Sequence, residues 1–296
     1  MKQKFVERVF SRENAEKISV VNGILEEYRK MGFRLSLRQL YYQLVARDYI
    51  ENSQRSYKNI GSLVSNARQA GLIDWDMIED RGRETVFSPH WDSPAEIVEA
   101  AARQFRIDKW KDQIWHIEVM VEKDALSGVL EPVCRELDIR ITANKGYSSS
   151  STMYEIGQRL KDKCLLEGKL ICVVYLGDHD PSGIDMTRDI EERLSLYSNL
   201  KDGMIEVERI ALNYDQVELW QPPENPAKES DSRFESYRDR FGESSWELDA
   251  IEPRRLASLV REEVLSRRNE TIWEGAVDAE NAMREQLLAF AKTYRK

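Results

Sequence analysis

Apolar positions follow two different rhythms along this chain. Over residues 14–31, Ile18, Val21, Ile24, Leu25 and Tyr28 recur at helical spacing and Gly32 ends the run, which predicts a first helix. Ser36 can cap a second helix over residues 37–50, and a third is expected over 55–70, closed by Gly71. Residues 73–87 then read as extended, with the turn-prone DRGRE inside them, and 93–106 as an amphipathic helix. Past Ile114 the rhythm changes. IWHIEVMVEKDALSGVL predicts a strand ending at Val121 and a helix from about Lys123, and IRITAN a second strand. Residues 170–176, LICVVYL, form a nearly continuous apolar run rich in β-branched side chains, the pattern of a strand buried on both faces. A helix is expected over 184–196. Strands alternating with helices at this spacing indicate a compact parallel α/β domain. QPPENPAKESDSRFESYRDRFGESS has the composition of a linker or long loop, and helices are expected again over 253–267 and 281–294.

Two short helices followed by a ribbon suggest a winged helix-turn-helix, with residues 55–70 as its recognition helix. The expected organisation is therefore N-terminal helices (1–33), a winged-helix DNA-binding domain (34–92), a connector helix (93–113), the α/β domain (114–215) and a loop with a C-terminal helical region (216–296). At 296 residues and 41% hydrophobic content the chain can build real cores. No apolar run reaches the eighteen or so residues of a membrane span, and the N-terminus lacks a signal-peptide core, so a cytoplasmic protein is expected. Cys134, Cys164 and Cys172, with His90, His116 and His179, show no metal-ligand spacing. A net charge of −9 argues against nonspecific coating of nucleic acid. Between Tyr28 and Ile73, however, Arg29, Lys30, Arg34, Arg38, Arg47, Arg55, Lys58 and Arg68 face only Asp48 and Glu51. An acidic protein with one basic patch has the electrostatic footprint of a localised DNA site, though a solvated helix face would look the same.

The candidate chemistry lies where strands stop. Gly177, Pro181 and Gly183 break the third strand and put Asp178 and Asp180 at its carboxyl end, where open α/β sheets place ligands. Residues two apart on an extended segment face the same way, so the two aspartates are expected to aim together and His179 elsewhere. Converging carboxylates repel unless a cation or shared proton intervenes. Glu122 sits at another strand tip. In the second helix Leu37, Leu40, Tyr41 and Leu44 form the apolar stripe, so Tyr41 is expected in the core and Tyr42 displayed, with Arg38 on its side. A phenol needs an adjacent cation or metal to act as a nucleophile, and Arg38 could supply that charge. The serine run after KGY could receive a phosphate or simply cap a helix.

Glu122 in VEKDAL, KGY at 145–147 and GDHDPSG from Gly177 resemble the Toprim domain, whose acidic set is a glutamate after the first strand and a DxD after a later one. Together with RQLYY at 38–42, GDxDPxG is similar to the topoisomerase VI A subunit and the related meiotic double-strand-break transesterase. That resemblance implies a CAP-like winged helix preceding Toprim, with Tyr42 as nucleophile, Arg38 supporting it, Glu122 catalytic, and Mg²⁺ on Glu122, Asp178 and Asp180. WELDAIEPRRL adds Glu247 as a further acid; its other reading is an acidic first turn of the next helix. Arg34, Arg55, Lys58, Arg68 and Lys145 are the expected DNA contacts. The implied activity is Mg²⁺-dependent cleavage of double-stranded DNA by tyrosine transesterification, leaving a 5′-phosphotyrosyl link. A homodimer would cut both strands, the tyrosine of one protomer meeting the metal of the other. No GxxxxGK[ST] loop is present, so an ATP-driven cycle needs a separate ATPase subunit. Two alternatives stay open: a hydrolytic Toprim nuclease of defence or mobile-element type, and a DNA-binding protein without catalysis.

Overall fold

Three helices open the chain: α1 (Arg12–Lys30), α2 (Leu37–Ala46) and α3 (Gln54–Gln69). The computed structural model describes residues 2–78, 90–144, 146–201 and 203–294. Each of the three helices starts at a serine, Ser11, Ser36 or Ser53, whose side chain accepts a first-turn N–H that would otherwise stay unpaired. At α2 the exchange is reciprocal, because the Gln39 side chain accepts the Ser36 N–H at 2.8 Å. The apolar stripes of the three helices meet in one core that includes Val21, Leu25, Tyr28, Leu40, Leu44 and Val64. Beyond it, Trp75–Met77 forms a 3-10 turn where extended backbone was expected, because the Asp74 side chain accepts the Asp76 N–H and caps it. The rest of the expected ribbon, with its DRGRE turn, lies outside the described residues.

Helix α4 (Pro94–Gln104) leads into an alternating unit: β1 (Trp115–Val121), α5 (Asp124–Glu136), β2 (Arg140–Ala143), α6 (Ser150–Glu167), β3 (Leu170–Leu176), α7 (Pro181–Ser198) and β4 (Ile205–Ala211). The four strands are parallel in the order β2-β1-β3-β4. Met153, Leu160, Met186 and Leu194 of α6 and α7 cover one face; Leu126 and Leu130 of α5 cover the other. Strand β4, IEVERIA, escaped the sequence reading because Glu206 and Glu208 alternate with its apolar residues, as suits an edge strand exposed on one side.

The chain continues through α8 (Tyr214–Trp220), β5 (Glu224–Pro226), α9 (Phe234–Phe241), β6 (Ser244–Trp246), α10 (Pro253–Arg267) and α11 (Glu270–Lys292). Residues 221–245, expected as linker, are therefore folded. Strand β5 pairs antiparallel with β6, and Tyr237 and Phe241 of α9 pack on the His179 ring, giving this polar stretch an aromatic anchor. Helix α10 joins α5 on its sheet face through Leu256 and Val260. Helix α11 is tied to the segment after α4 by Glu280, which takes the Lys109 ammonium at 2.7 Å, and by Arg284, which donates to the Phe105 carbonyl. Among the described residues no helix is long and apolar enough to cross a membrane.

Glu118, midway along β1 and only 1% exposed, has its carboxylate gripped by Arg159 of α6 at 2.9 and 2.6 Å and by His116 at 3.0 Å. Burial pushes this carboxyl up, but the bonds from Arg159 and His116 outweigh it and hold the group at about 2 against an ordinary 4.5. A carboxyl depressed on folding stabilises fully above its unfolded value, and that contribution disappears as pH falls from 4.5 towards 2. Arg159→Met should cost about 3 kcal/mol at neutral pH by stranding a buried charge. Urea titrations between those pH values should show a flatter decline in the variant than in the wild type.

Candidate functional site

Strands β1 and β3 run in register, from Trp115 opposite Leu170 to Val121 opposite Leu176, so the loops beyond their carboxyl ends emerge side by side. The Glu122 N–H still donates to the Leu176 carbonyl at 2.9 Å, and its Oε2 accepts the Asp178 N–H at 2.8 Å. Arg209 of β4 fixes the loop from below, donating to the carbonyls of Gly177, Asp178 and Gly183. Asp180 caps α7, accepting the Gly183 N–H at 2.6 Å and the Ser182 hydroxyl at 2.9 Å. Gly183 is required at this spot, since a Cβ there would sit 2.3 Å from the Asp178 carbonyl oxygen. His179 points away, as expected, into Tyr214, Tyr237, Phe241 and Trp246.

The His179 backbone has a second consequence. It exchanges two 2.9 Å hydrogen bonds with Trp246, which carries the next residues, Glu247 to Asp249, onto the same sheet edge. There Asp178 Oδ1 accepts the Leu248 N–H at 2.7 Å. Asp178 Oδ2 lies 2.6 Å from the Lys123 ammonium, which also contacts Glu247 and stands 3.6 Å from Asp249. From α2, Arg38 reaches Glu247 at 2.6 Å and Asp249 at 3.0 Å. Cations from two parts of the chain thus bind acids from two others.

Tyr42 lies beside this cluster but is not displayed as expected. It is 5% exposed and packs against Ala250, because the 3-10 turn Leu248–Ala250 covers the side of α2 that the sequence pattern left open. Arg38 lies 5.9 Å from the Tyr42 ring, and both residues line a cavity of about 480 Å³ with Asp180, Asn225, Lys228 and Glu247. Burial, helped by Glu247, pushes the Tyr42 phenol up despite the Arg38 charge. The Arg38 charge and hydrogen bond do act to lower the phenol, as expected, but burial outweighs them while the same guanidinium also pairs with Glu247 and Asp249. Tyr41 does lie in a core position, its hydroxyl bonded to Asn52 at 2.9 Å.

No family model matches this chain, and no curated protein matches it in sequence.

The acid cluster has its own electrostatics. Burial drives Asp178 well above the ordinary carboxylate range although Lys123 opposes it, and burial likewise raises Glu122 and Asp249. Glu247 goes the other way: burial pushes it up, but Lys123 and Arg38 together outweigh that and hold it low. Glu122, Asp178, Asp180, Glu247 and Asp249 outnumber Lys123, Arg38 and Arg209, and both oxygens of the 1% exposed Asp249 lack a directed hydrogen bond. Such an all-carboxylate set with surplus negative charge suits a hard divalent cation chemically. Its geometry is another matter. Among the described residues no three His, Cys, Asp or Glu side chains gather at metal-ligand spacing. The two aspartates have different partners: Asp180 caps α7, while Asp178 is taken by Lys123 and Leu248.

The other expected residues divide. Arg34, Arg55 and Lys58 are exposed on the α2–α3 unit. Arg68 turns inward instead, donating to the Trp75 carbonyl at 2.7 Å and lying over that indole. Lys145 lies outside the described residues, and Ser149 caps α6 by accepting the Thr152 N–H. Sequence reasoning missed Lys123, Asp249 and Arg209. Asp249 repeats with Glu247 the two-residue spacing of Asp178 and Asp180. Lys123 occupies a helix N-cap without a cap bond, a place unfavourable to a cation unless acids hold it there.

Gly183→Ala should lower stability by about 2 kcal/mol, since the methyl must push the Asp178 carbonyl out of its Arg209 contact. Urea denaturation reads the loss, and Gly275→Ala, at a helical site with open space around it, should not reproduce it.

Proposed function

We propose that this chain cleaves DNA through Tyr42, as a topoisomerase VI A-like protein in which α2 and α3 belong to a winged-helix module and the parallel sheet to a Toprim domain. The observation that carries this reading is the shared cavity: Tyr42 and Arg38 of α2 line it together with Asp180 and Glu247, which come from separate segments of the α/β unit. Nothing local in the sequence obliges a tyrosine 138 positions from an aspartate (180 − 42) to meet it. Arg34, Arg55 and Lys58, exposed on the helical unit, would track phosphates.

In the proposed reaction the Tyr42 Oη forms a bond to phosphorus and the P–O3′ bond breaks. The phosphorus then links the Tyr42 Oη to the 5′ oxygen of the DNA; the phenol proton is given up, and the departing 3′ oxygen takes up a proton to end as a 3′-hydroxyl. No water enters, so bond energy is conserved and the step is reversible. Arg38 would release Glu247 and Asp249 to face the phosphate and lower the Tyr42 phenol. Glu122, Asp178 and Asp180 would hold Mg²⁺, which supplies positive charge to the phosphate and leaving oxygens. Each chain makes one nick, so a duplex break takes two copies. Strand passage would need an ATPase from elsewhere.

A hydrolytic nuclease is the second reading, favoured by the buried, neutral Tyr42. Denaturing gels of end-labelled duplex DNA incubated with protein and Mg²⁺ separate the two. Covalent protein on 5′ ends is expected for the wild type, reduced at least about 100-fold in Tyr42→Phe and Asp178→Ala. Cutting by Tyr42→Phe without any adduct would establish hydrolysis instead, and Mg²⁺-indifferent binding without cutting would leave a DNA-binding protein.

A further inference from the structure

Lys123 stands where a bound cation would. Its ammonium contacts Asp178 and Glu247 and lies 3.6 Å from Asp249, with the side chain only 16% exposed. It directly follows Glu122 and forms the N-cap of α5 with no side-chain cap bond. At that end of a helix the backbone dipole repels a positive charge, so helix formation gives no reason for a lysine here. The acids do. With Lys123 in place, Asp178 faces an ammonium and a backbone N–H, Glu247 faces two cations, and among the described residues no three His, Cys, Asp or Glu side chains are arranged to hold a metal ion.

Resting on the proposed metal-dependent reading, we propose that Lys123 is an internal counter-cation that competes with divalent metal for Asp178 and clasps the α2 helix to the acids. A divalent ion approaching Asp178 must displace the ammonium. Once it leaves, Glu247 and Asp249 retain Arg38 alone, while the divalent charge sits at Asp178. The same exchange loosens the covering of Tyr42, because Glu247, held jointly by Lys123 and Arg38, and the adjoining Leu248–Ala250 turn close over that residue. Metal entry and exposure of the tyrosine are then one event. The site therefore carries its own occupant until metal and DNA arrive together, which limits unprogrammed cutting.

Two measurements test this without reference to cleavage. Titration of Mn²⁺ followed by electron paramagnetic resonance should show binding about tenfold tighter in Lys123→Gln than in the wild type, and the gain should vanish when Asp178→Asn is added. Lys123→Arg, which keeps a fixed cation, should bind no tighter than the wild type. In the wild-type protein, acetylation of Lys123 by a water-soluble ester, read by mass spectrometry, should rise severalfold when Mg²⁺ is added. Equal or weaker Mn²⁺ binding in a folded Lys123→Gln protein overturns the proposal, as does a gain that survives Asp178→Asn. If Lys123→Gln does not fold, unchanged acetylation with Mg²⁺ overturns it alone. Should Mn²⁺ and acetylation behave as stated while no DNA is cut, the cleavage reading fails and the counter-cation role stands.

Discussion

Charge balance at one sheet edge governs the arrangement of this molecule. Asp178 and Asp249 are nearly inaccessible to water, and Glu122 and Glu247 are close by. Stripped of hydration and placed together, these acids repel one another, and burial of an unpaired charge costs several kcal/mol. Lys123 and Arg38 offset that cost, and each arrives from a different place: Lys123 from the end of β1, Arg38 from α2 in the helical unit. The ion cluster is consequently also the joint between the two halves of the chain. Backbone pairing of His179 with Trp246 supplies the third participant by delivering Glu247 and Asp249.

That joint sets the chemistry of Tyr42. Packed under the Leu248–Ala250 turn and sharing Arg38 with Glu247 and Asp249, the Tyr42 phenol is held up by burial. In the proposed reading, release of Arg38 and metal on the acids would lower that phenol. Repulsion among acids, which destabilises the closed arrangement, is what would favour a divalent ion in the proposed reading. Within one chain Tyr42 shares a cavity with Asp180.

Much of the framework was legible in the sequence. Strand β3 and helix α10 fall where the periodicity put them, and Glu122, Asp178 and Asp180 stand at strand ends because β-branched runs and glycine breaks mark those ends plainly. What escaped has physical causes. Strand β4 carries charges on its open side, so its period was hidden. The stretch 221–245 looked like a linker because Tyr237 and Phe241, scattered among polar residues, anchor it only by closing on His179, a contact no local pattern encodes. Tyr42 was placed at the surface because a helical wheel sees its own helix and not the turn that later covers it. Lys123 and Asp249 lie inside the VEKDAL and WELDAIEPRRL segments but matter through long-range ion pairs, which those segments do not reveal.

The central claim is that Arg38 and the late acidic segment are energetically bound to each other. A double-mutant cycle combining Arg38→Met with Asp249→Asn, read by urea denaturation at neutral pH, measures that bond directly. The account predicts a coupling of at least about 1 kcal/mol between the two sites. Additivity within about 0.5 kcal/mol would contradict it, because two residues that share no interaction contribute independently.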